Sequence, residues 1–408
     1  MFKQKIRKKA KNASGRLSRV LHLLLKDEAI SGKLLLVATA IAIFVVNSPW
    51  AQNYAAIWEF KLSVSFGGFS IASDLRHLIN DGLMAVFFLV ISLEIKRELV
   101  RGELRKIRAA ILPIIAAAGG IVVPIVIFSL INKGFAGIHG WGIPMTTDTA
   151  FAIGLLALLG KRIPTSLKIF LLTVMVVDDV AAIVSIAVFY TATVNATPLL
   201  LAGCIYGLIL LLHWLRLLTM RNFVLLGITL WICFYLSGVH ASLAGVVLGL
   251  VAPITARHHA RKLSIAERLE KSLIPFSTLL IIPLFALANA GVVLNWQDFN
   301  QESTLRISTG IFFGLVVGKA IGITTAAWLA TKLHLSRLPK GLTMRHIFGA
   351  ALLGGVGFTL SIFIAELAFN QNEIFINAAK VGIFAASIVS AVTALSYLLV
   401  ATKRPQKT

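Results

Sequence analysis

Phe170 to Tyr190 reads FLLTVMVVDDVAAIVSIAVFY, an apolar run whose only charged side chains are Asp178 and Asp179, side by side near its midpoint. Its length and apolarity predict a membrane-spanning helix. An ionised carboxylate at the centre of such a helix costs roughly 2.5–3.5 kcal/mol on insertion scales, and two cost more. One buried Asp is readily satisfied by neighbouring hydroxyls, but two adjacent ones point to a site for a cation or a proton inside the membrane. The rest of the chain is read as the container for that site.

The composition agrees. The 408 residues are 58% hydrophobic and only 14% charged, which predicts an all-α polytopic membrane protein. A net charge of +22 would suggest nucleic acid in a soluble protein, yet the placement of the charges argues against such a partner. Apolar spans are expected at about 33–49, 75–96, 109–131, 141–160, 167–190, 198–215, 222–237, 239–255, 272–293, 307–330, 343–369 and 374–400, about twelve transmembrane helices. All but six of the 39 Lys and Arg then fall at one set of span ends or in the termini. Lys61, Arg76, Lys133 and Arg306 lie on the opposite side, and Lys319 and Lys380 lie inside spans. By the positive-inside rule both termini are cytoplasmic.

The expected organisation is a basic N-terminal arm over 1–29, one transmembrane domain over 30–401 and a short tail over 402–408. From Leu17 the arm has helical apolar spacing, so it either lies on the membrane surface or stays a solvated tail. The first apolar run lacks a cleavage site and reads as a retained span. Cys204 and Cys233 sit in apolar spans as small hydrophobes, implying no disulfide. Between the first two spans, KLSVSFGGFSIA alternates around Gly67-Gly68, and predicts an extracytoplasmic β-hairpin over 60–72. An isolated hairpin is marginal, so it either pairs with a second protomer to make a homodimer or lies as a flap on its own subunit.

Ionisable residues inside the spans are few. Asp148 sits in GIPMTTDTAFAIG, where Pro144 removes a backbone donor and Thr146, Thr147 and Thr149 can satisfy freed backbone groups. This pattern predicts either a broken helix or a proline kink with a capping Asp. In the eleventh span, LLGGVGFTLSIFIAE, Gly354, Gly355 and Gly357 mark either close packing or an unwound segment. Taken together, spans 4 and 11 are expected to be two crossing discontinuous helices, the arrangement that forms secondary-transporter binding sites. Lys319 lies mid-span among small residues and needs an aspartate partner, whereas Lys380 is close enough to its span's start to snorkel. Glu94, Arg97 and Glu98 stand at the cytoplasmic mouth of the second span, as a solvated helix end or a cation-collecting funnel.

These residues resemble the NhaA-type sodium/proton antiporter family, an inverted-repeat transporter fold. The resemblance rests on NDGLMAVFFLV with LEIKREL, TTDTAFAIGLLALLG, VVDDVAAI, SGVHASLAGV, LIIPLFALANAG, VVGKAIGI and GGVGFTLSIFIA, in that order from about residue 29 onward. It implies that Asp178 and Asp179 form the cation and proton site, with Asp179 the main sodium ligand. Asp148 and Thr147 would lie where spans 4 and 11 cross, and Lys319 would pair with Asp178. Asp81 would line the cation passage. Glu94, Arg97, Glu98, His240 and Glu270 would serve the pH response. The sequence departs from the family pattern at AERLEKSLIP, where Glu267, Glu270 and Lys271 lack the usual nearby histidines.

The expected function is exchange of cytoplasmic Na+ or Li+ for external H+ by alternating access, pH-regulated and electrogenic, in a bacterial inner membrane. Adjacent carboxylates repel in a low dielectric, so proton and cation compete for them. A sodium-coupled symporter of the same general fold would need an organic-substrate pocket, of which the sequence gives no sign. An intramembrane aspartyl protease would need its two aspartates on different helices, and neighbours on one helix point about 100° apart. The chain carries no phosphate-binding loop, metal-ligand cluster or nucleophile triad, so no ATP-driven step, no cofactor and no enzymatic activity are expected.

Overall fold

The computed structural model describes residues 30–66, 69–191, 194–254, 263–293, 301–370 and 372–402. Long apolar helices dominate. In chain order they are α1 (Ile30–Val46), α2 (Ala51–Trp58), α3 (Leu75–Arg101), α4 (Ile107–Ile131), α5 (Thr149–Leu158), α6 (Thr165–Phe189), α7 (Ala196–Trp214), α8 (Met220–Ser237), α9 (Ser242–Val251), α10 (Ile265–Asn289), α11 (Glu302–Lys332), α12 (Met344–Gly354), α13 (Phe358–Phe369) and α14 (Glu373–Ala401). A 3₁₀ helix over Ala136–Met145 precedes α5. Two strands, β1 (Lys61–Phe66) and β2 (Phe69–Asp74), pair antiparallel with Val64 opposite Ile71 and Phe66 opposite Phe69. The Gly67-Gly68 turn and the arm over 1–29 lie outside the described residues.

Among the described residues, eight single helices are long and apolar enough to cross a membrane, and up to eleven spans result if each of three bent pairs is one crossing. Ser242–Val251 is apolar but shorter. The helix α6 has 25 residues, about 37 Å at 1.5 Å per residue, enough to traverse a hydrocarbon core of roughly 30 Å. The fourth expected span begins earlier than its apolar run implies, because the Gly-rich AGIHGWGIPM stretch winds as a 3₁₀ helix. Pro144 cannot donate a backbone hydrogen bond, and the chain bends by 45° before α5. The α12–α13 pair bends by 46° across its glycines. Thus long helix, bent pair and long helix occur twice: α4, 136–158 and α6, then α11, α12–α13 and α14.

In a bilayer, helix association draws on close packing and hydrogen bonds, since lipid is as apolar as the side chains. The pairing of α4 with α11 uses close backbone approach: a Cβ on either Gly119 or Gly322 would run into the other's carbonyl. Gly245 of α9 likewise meets the Ala85 carbonyl of α3. Among the described residues three helices carry a π-turn, at Ile79–Leu83 in α3, Ser277–Ile281 in α10 and Gly314–Gly318 in α11. The second of these precedes Pro283, whose missing N–H and bulky ring disfavour an ordinary turn. The aromatic core runs through Phe363, which packs against Phe88 (5.4 Å between centroids) and Phe285 (6.2 Å).

Candidate ion site

The helix α6 carries Asp178 and Asp179 into the interior, 1% and 6% exposed. Adjacent helical positions diverge by about 100°, so the two carboxylates face different partners. Asp178 Oδ2 meets Lys319 Nζ of α11 at 2.5 Å, and the Thr147 hydroxyl at 3.0 Å. Its other oxygen, Oδ1, is buried without a hydrogen-bond partner. Asp179 accepts a longer bond from the Thr149 hydroxyl, 3.4 Å. Lys319 is fully enclosed at 0% exposure. It follows directly on the π-turn of α11, where its N–H donates to the Gly314 carbonyl.

The two chain breaks are hydrogen-bonded to each other. The Asp148 N–H donates to the Val356 carbonyl at 2.7 Å. Asp148 Oδ1 accepts from the Phe151 N–H at 3.0 Å, which caps α5. Its Oδ2 accepts the Thr359 N–H at 3.1 Å and the Thr359 hydroxyl at 2.5 Å. One carboxylate therefore sits at the N-terminal ends of two half-helices, each equivalent to roughly half a positive charge. The Thr147 hydroxyl reaches both Asp178 Oδ2 and the Gly354 carbonyl (2.8 Å), and its one proton serves either. Deeper in, Thr146 and Ser361 share a bond of 2.8 Å.

Charge accounting sharpens this geometry. Lys319 compensates Asp178, and the two helix N-termini compensate Asp148. Among the described residues Asp179 forms no ion pair, and its side-chain hydrogen bond comes from the neutral Thr149 hydroxyl. The group is built from hard oxygen donors, the chemistry that suits alkali cations over soft metals.

The remaining expected residues form two other groups. Asp81 lies in the π-turn of α3, its carbonyl accepting from Trp231 Nε1 at 3.1 Å. Its carboxylate stands 3.9 Å from His240 Nδ1, which also meets the Ser242 hydroxyl at 3.0 Å. The His240 ring packs edge-on against Phe363. At the other end of α3, Arg97 pairs with Glu270 and lies 3.5 Å from Glu94, while Glu98 accepts the Glu103 N–H at 3.2 Å. Arg101 binds Glu267 at 2.6 Å and the Ile254 carbonyl at 3.0 Å. These contacts tie the end of α3 to the start of α10. Beside them a cavity of about 580 Å³ is lined by Glu98, Arg101, Arg105, Lys106, Leu172 and Thr173. Thr173 precedes Asp178 by five residues, roughly 7 Å along the helix.

Sequence reasoning missed Thr359, whose bond to Asp148 joins residues 211 apart in the chain and leaves no local signal. It also missed the partner of Lys380. That lysine does not snorkel: it is 8% exposed and its Nζ lies 2.8 Å from Glu366 Oε1. The Arg101–Glu267 pair was unseen because its members are far apart in sequence.

Comparison with known proteins bears on what such an arrangement does. The family model described as Na+/H+ antiporter 1 matches residues 22–398. A relative from Clostridium beijerinckii, Na(+)/H(+) antiporter NhaA 2, is 43% identical over 90% of this chain and 91% of its own length. One from Magnetococcus marinus, also Na(+)/H(+) antiporter NhaA 2, is 44% identical over 94% of this chain and 98% of its own. Na(+)/H(+) antiporter NhaA from Bordetella parapertussis is 43% identical over 93% and 96%.

Proposed function

The chain belongs to the Na+/H+ antiporter 1 family, a multi-pass membrane transporter exchanging Na+ for H+, and from that premise we propose that Asp178 and Asp179 are the seat of exchange. One observation carries the assignment: Asp178 is held by Lys319 while Asp179, among the described residues, has no fixed cation beside it. The mobile charge belongs on Asp179. When both carboxylates are ionised, a bare Na+ or Li+ is drawn to their oxygens, with Thr147, Thr149 and the Gly354 carbonyl within the same neighbourhood. When a proton neutralises Asp179, that attraction is lost and the cation leaves. Proton and cation thus exclude each other, which is sufficient for coupled exchange. A cation that takes Asp178 from Lys319 frees the ammonium to give up its proton, so more than one proton can move per cation and the cycle is electrogenic.

The mutual hydrogen bonds of the two breaks support a crossing of discontinuous helices, 136–158 with α12–α13, and the repeated element order supports inverted repeats. Counting each bent pair and α9 as a crossing gives twelve spans, which puts both termini on one side; the excess of Lys and Arg there supports a cytoplasmic face for the arm over 1–29 and the tail over 402–408, in a bacterial inner membrane. The cavity beside Glu98 and Thr173 then serves as the cytoplasmic entrance, and the Glu94, Arg97, Glu98 and Glu270 group around it responds to pH. Asp81 and His240 flank the external passage. The paired strands β1 and β2 offer an edge for a second protomer, making a homodimer. The symporter and protease alternatives gain no support.

The assignment is tested by adding Na+ to weakly buffered purified protein and recording released protons. Wild type should release protons on Na+ addition and Asp179→Asn should not. Equal release from both would remove the site from this pair.

A further inference from the structure

The bent pair α12–α13 meets the last helix along one stripe. Lys380, Phe384 and Ser387 of α14 stand at i, i+4 and i+7, one face of a helix. Lys380 pairs with Glu366 of α13 at 2.8 Å. The Phe384 ring packs edge-on against Phe358 at 5.2 Å, and the Ser387 hydroxyl accepts the Phe358 N–H at 3.4 Å. α14 is itself fastened to α11, where the Ser308 hydroxyl donates to the Ala378 carbonyl at 2.8 Å.

Phe358 is the first residue of α13 and holds a positive φ of 20°. A non-glycine residue keeps such a conformation only where its surroundings dictate it. Its N–H is one of the donors that a helix start leaves without a partner, and lipid offers no replacement. The next donor along, Thr359 N–H, is taken by Asp148. The first half of the chain shows the same relation in charged form. There Thr147, in the first break, bonds Asp178 of the following long helix 31 residues later; Ser387 follows Phe358 by 29.

We propose that Ser387 is a positioning residue for ion exchange: its hydroxyl, flanked by Phe384 and the Lys380–Glu366 pair, makes α14 the template that sets the start of α13 and so seats Thr359 on Asp148. Ser387 touches no transported ion. The proposal rests on the reading that the breaks line the ion site.

The test compares wild type, Ser387→Ala, Ser387→Thr and Ser390→Ala in proteoliposomes, reading the Na+ KM, kcat and hydrogen exchange over residues 355–361. Ser390 lies on the same helix, 1% exposed, with a hydroxyl that has no hydrogen-bond partner among the described residues, so it controls for loss of a buried hydroxyl alone. Ser387→Ala should raise KM roughly fivefold or more, the scale of one unsatisfied buried donor, with kcat little changed and faster exchange at Phe358. Ser387→Thr and Ser390→Ala should match wild type. Should Ser387→Ala fold poorly, the near-isosteric Ser387→Cys, a weak acceptor, should give an intermediate rise. An unchanged KM in Ser387→Ala or Ser387→Cys, or an equal rise in Ser390→Ala, overturns the proposal. An active Asp179→Asn in the same vesicles is a separate failure, of the ion-site reading itself.

Discussion

Lys319 Nζ stands 2.5 Å from Asp178 Oδ2, with neither side chain open to solvent. Breaking a buried ion pair by removing one partner typically costs about 3–5 kcal/mol, because the other charge is stranded. Lys319→Met should therefore lower thermal stability in detergent markedly. Lys319→Met combined with Asp178→Asn should recover most of that loss, since neither charge is then left alone. A double variant no more stable than the single one would show that the pair does not act as a unit.

Thr359 gives Asp148 two hydrogen bonds, one through its hydroxyl. Bonds to charged groups contribute about 1.5–3 kcal/mol. Thr359→Val keeps the shape and removes the hydroxyl, so it should weaken Na+ affinity by about tenfold or more and lower stability, while Thr359→Ser should stay close to wild type. Proteoliposome kinetics with both variants decide it.

These two predictions also mark what was legible beforehand. Asp178, Asp179 and Lys319 stood out because a charge inside an apolar run has no cheap explanation. Asp148 stood out because proline and three threonines surround it. Nothing local reveals that Asp148 caps α13 at Thr359, that Glu366 meets Lys380, or that Ser387 holds Phe358, because each partnership is made by packing between distant helices. The π-turn before Lys319 is equally silent in GLVVG: Gly314 and Gly318 sit tight against Pro144 and Pro124, which belong to other parts of the chain.

Proton and cation share one site in this account, so apparent Na+ affinity must fall as pH falls. Where protonation dominates, a single competing proton raises the Na+ KM about tenfold per unit decrease in pH. Kinetics at several pH values on both sides of the membrane check this. A KM independent of pH would separate the two binding events.

Arg97, 44% exposed at its side chain, bridges Glu94 (32%) and Glu270 (15%), so its guanidinium reaches solvent while Glu270 is partly covered. A pair with one solvent-reaching partner contributes about 1 kcal/mol, and Gln keeps the shape and a hydrogen-bonding oxygen, so Glu270→Gln should lower the thermal stability only slightly. Because it loosens the link between α3 and α10 beside the entrance, it should displace the pH profile of exchange while leaving maximal activity in place. Vesicle assays across pH, alongside thermal unfolding, separate the two effects.

The most direct measurement is dissipation of a proton gradient in everted membrane vesicles on adding Na+, Li+ or K+, for wild type and Asp179→Asn. Readings across about pH 6.5–9 bracket the titration of histidine and perturbed carboxylates. Wild type should respond to Na+ or Li+, and the response should vanish in Asp179→Asn at equal expression. A full response from Asp179→Asn would contradict the central claim and move the ion site away from the aspartate pair.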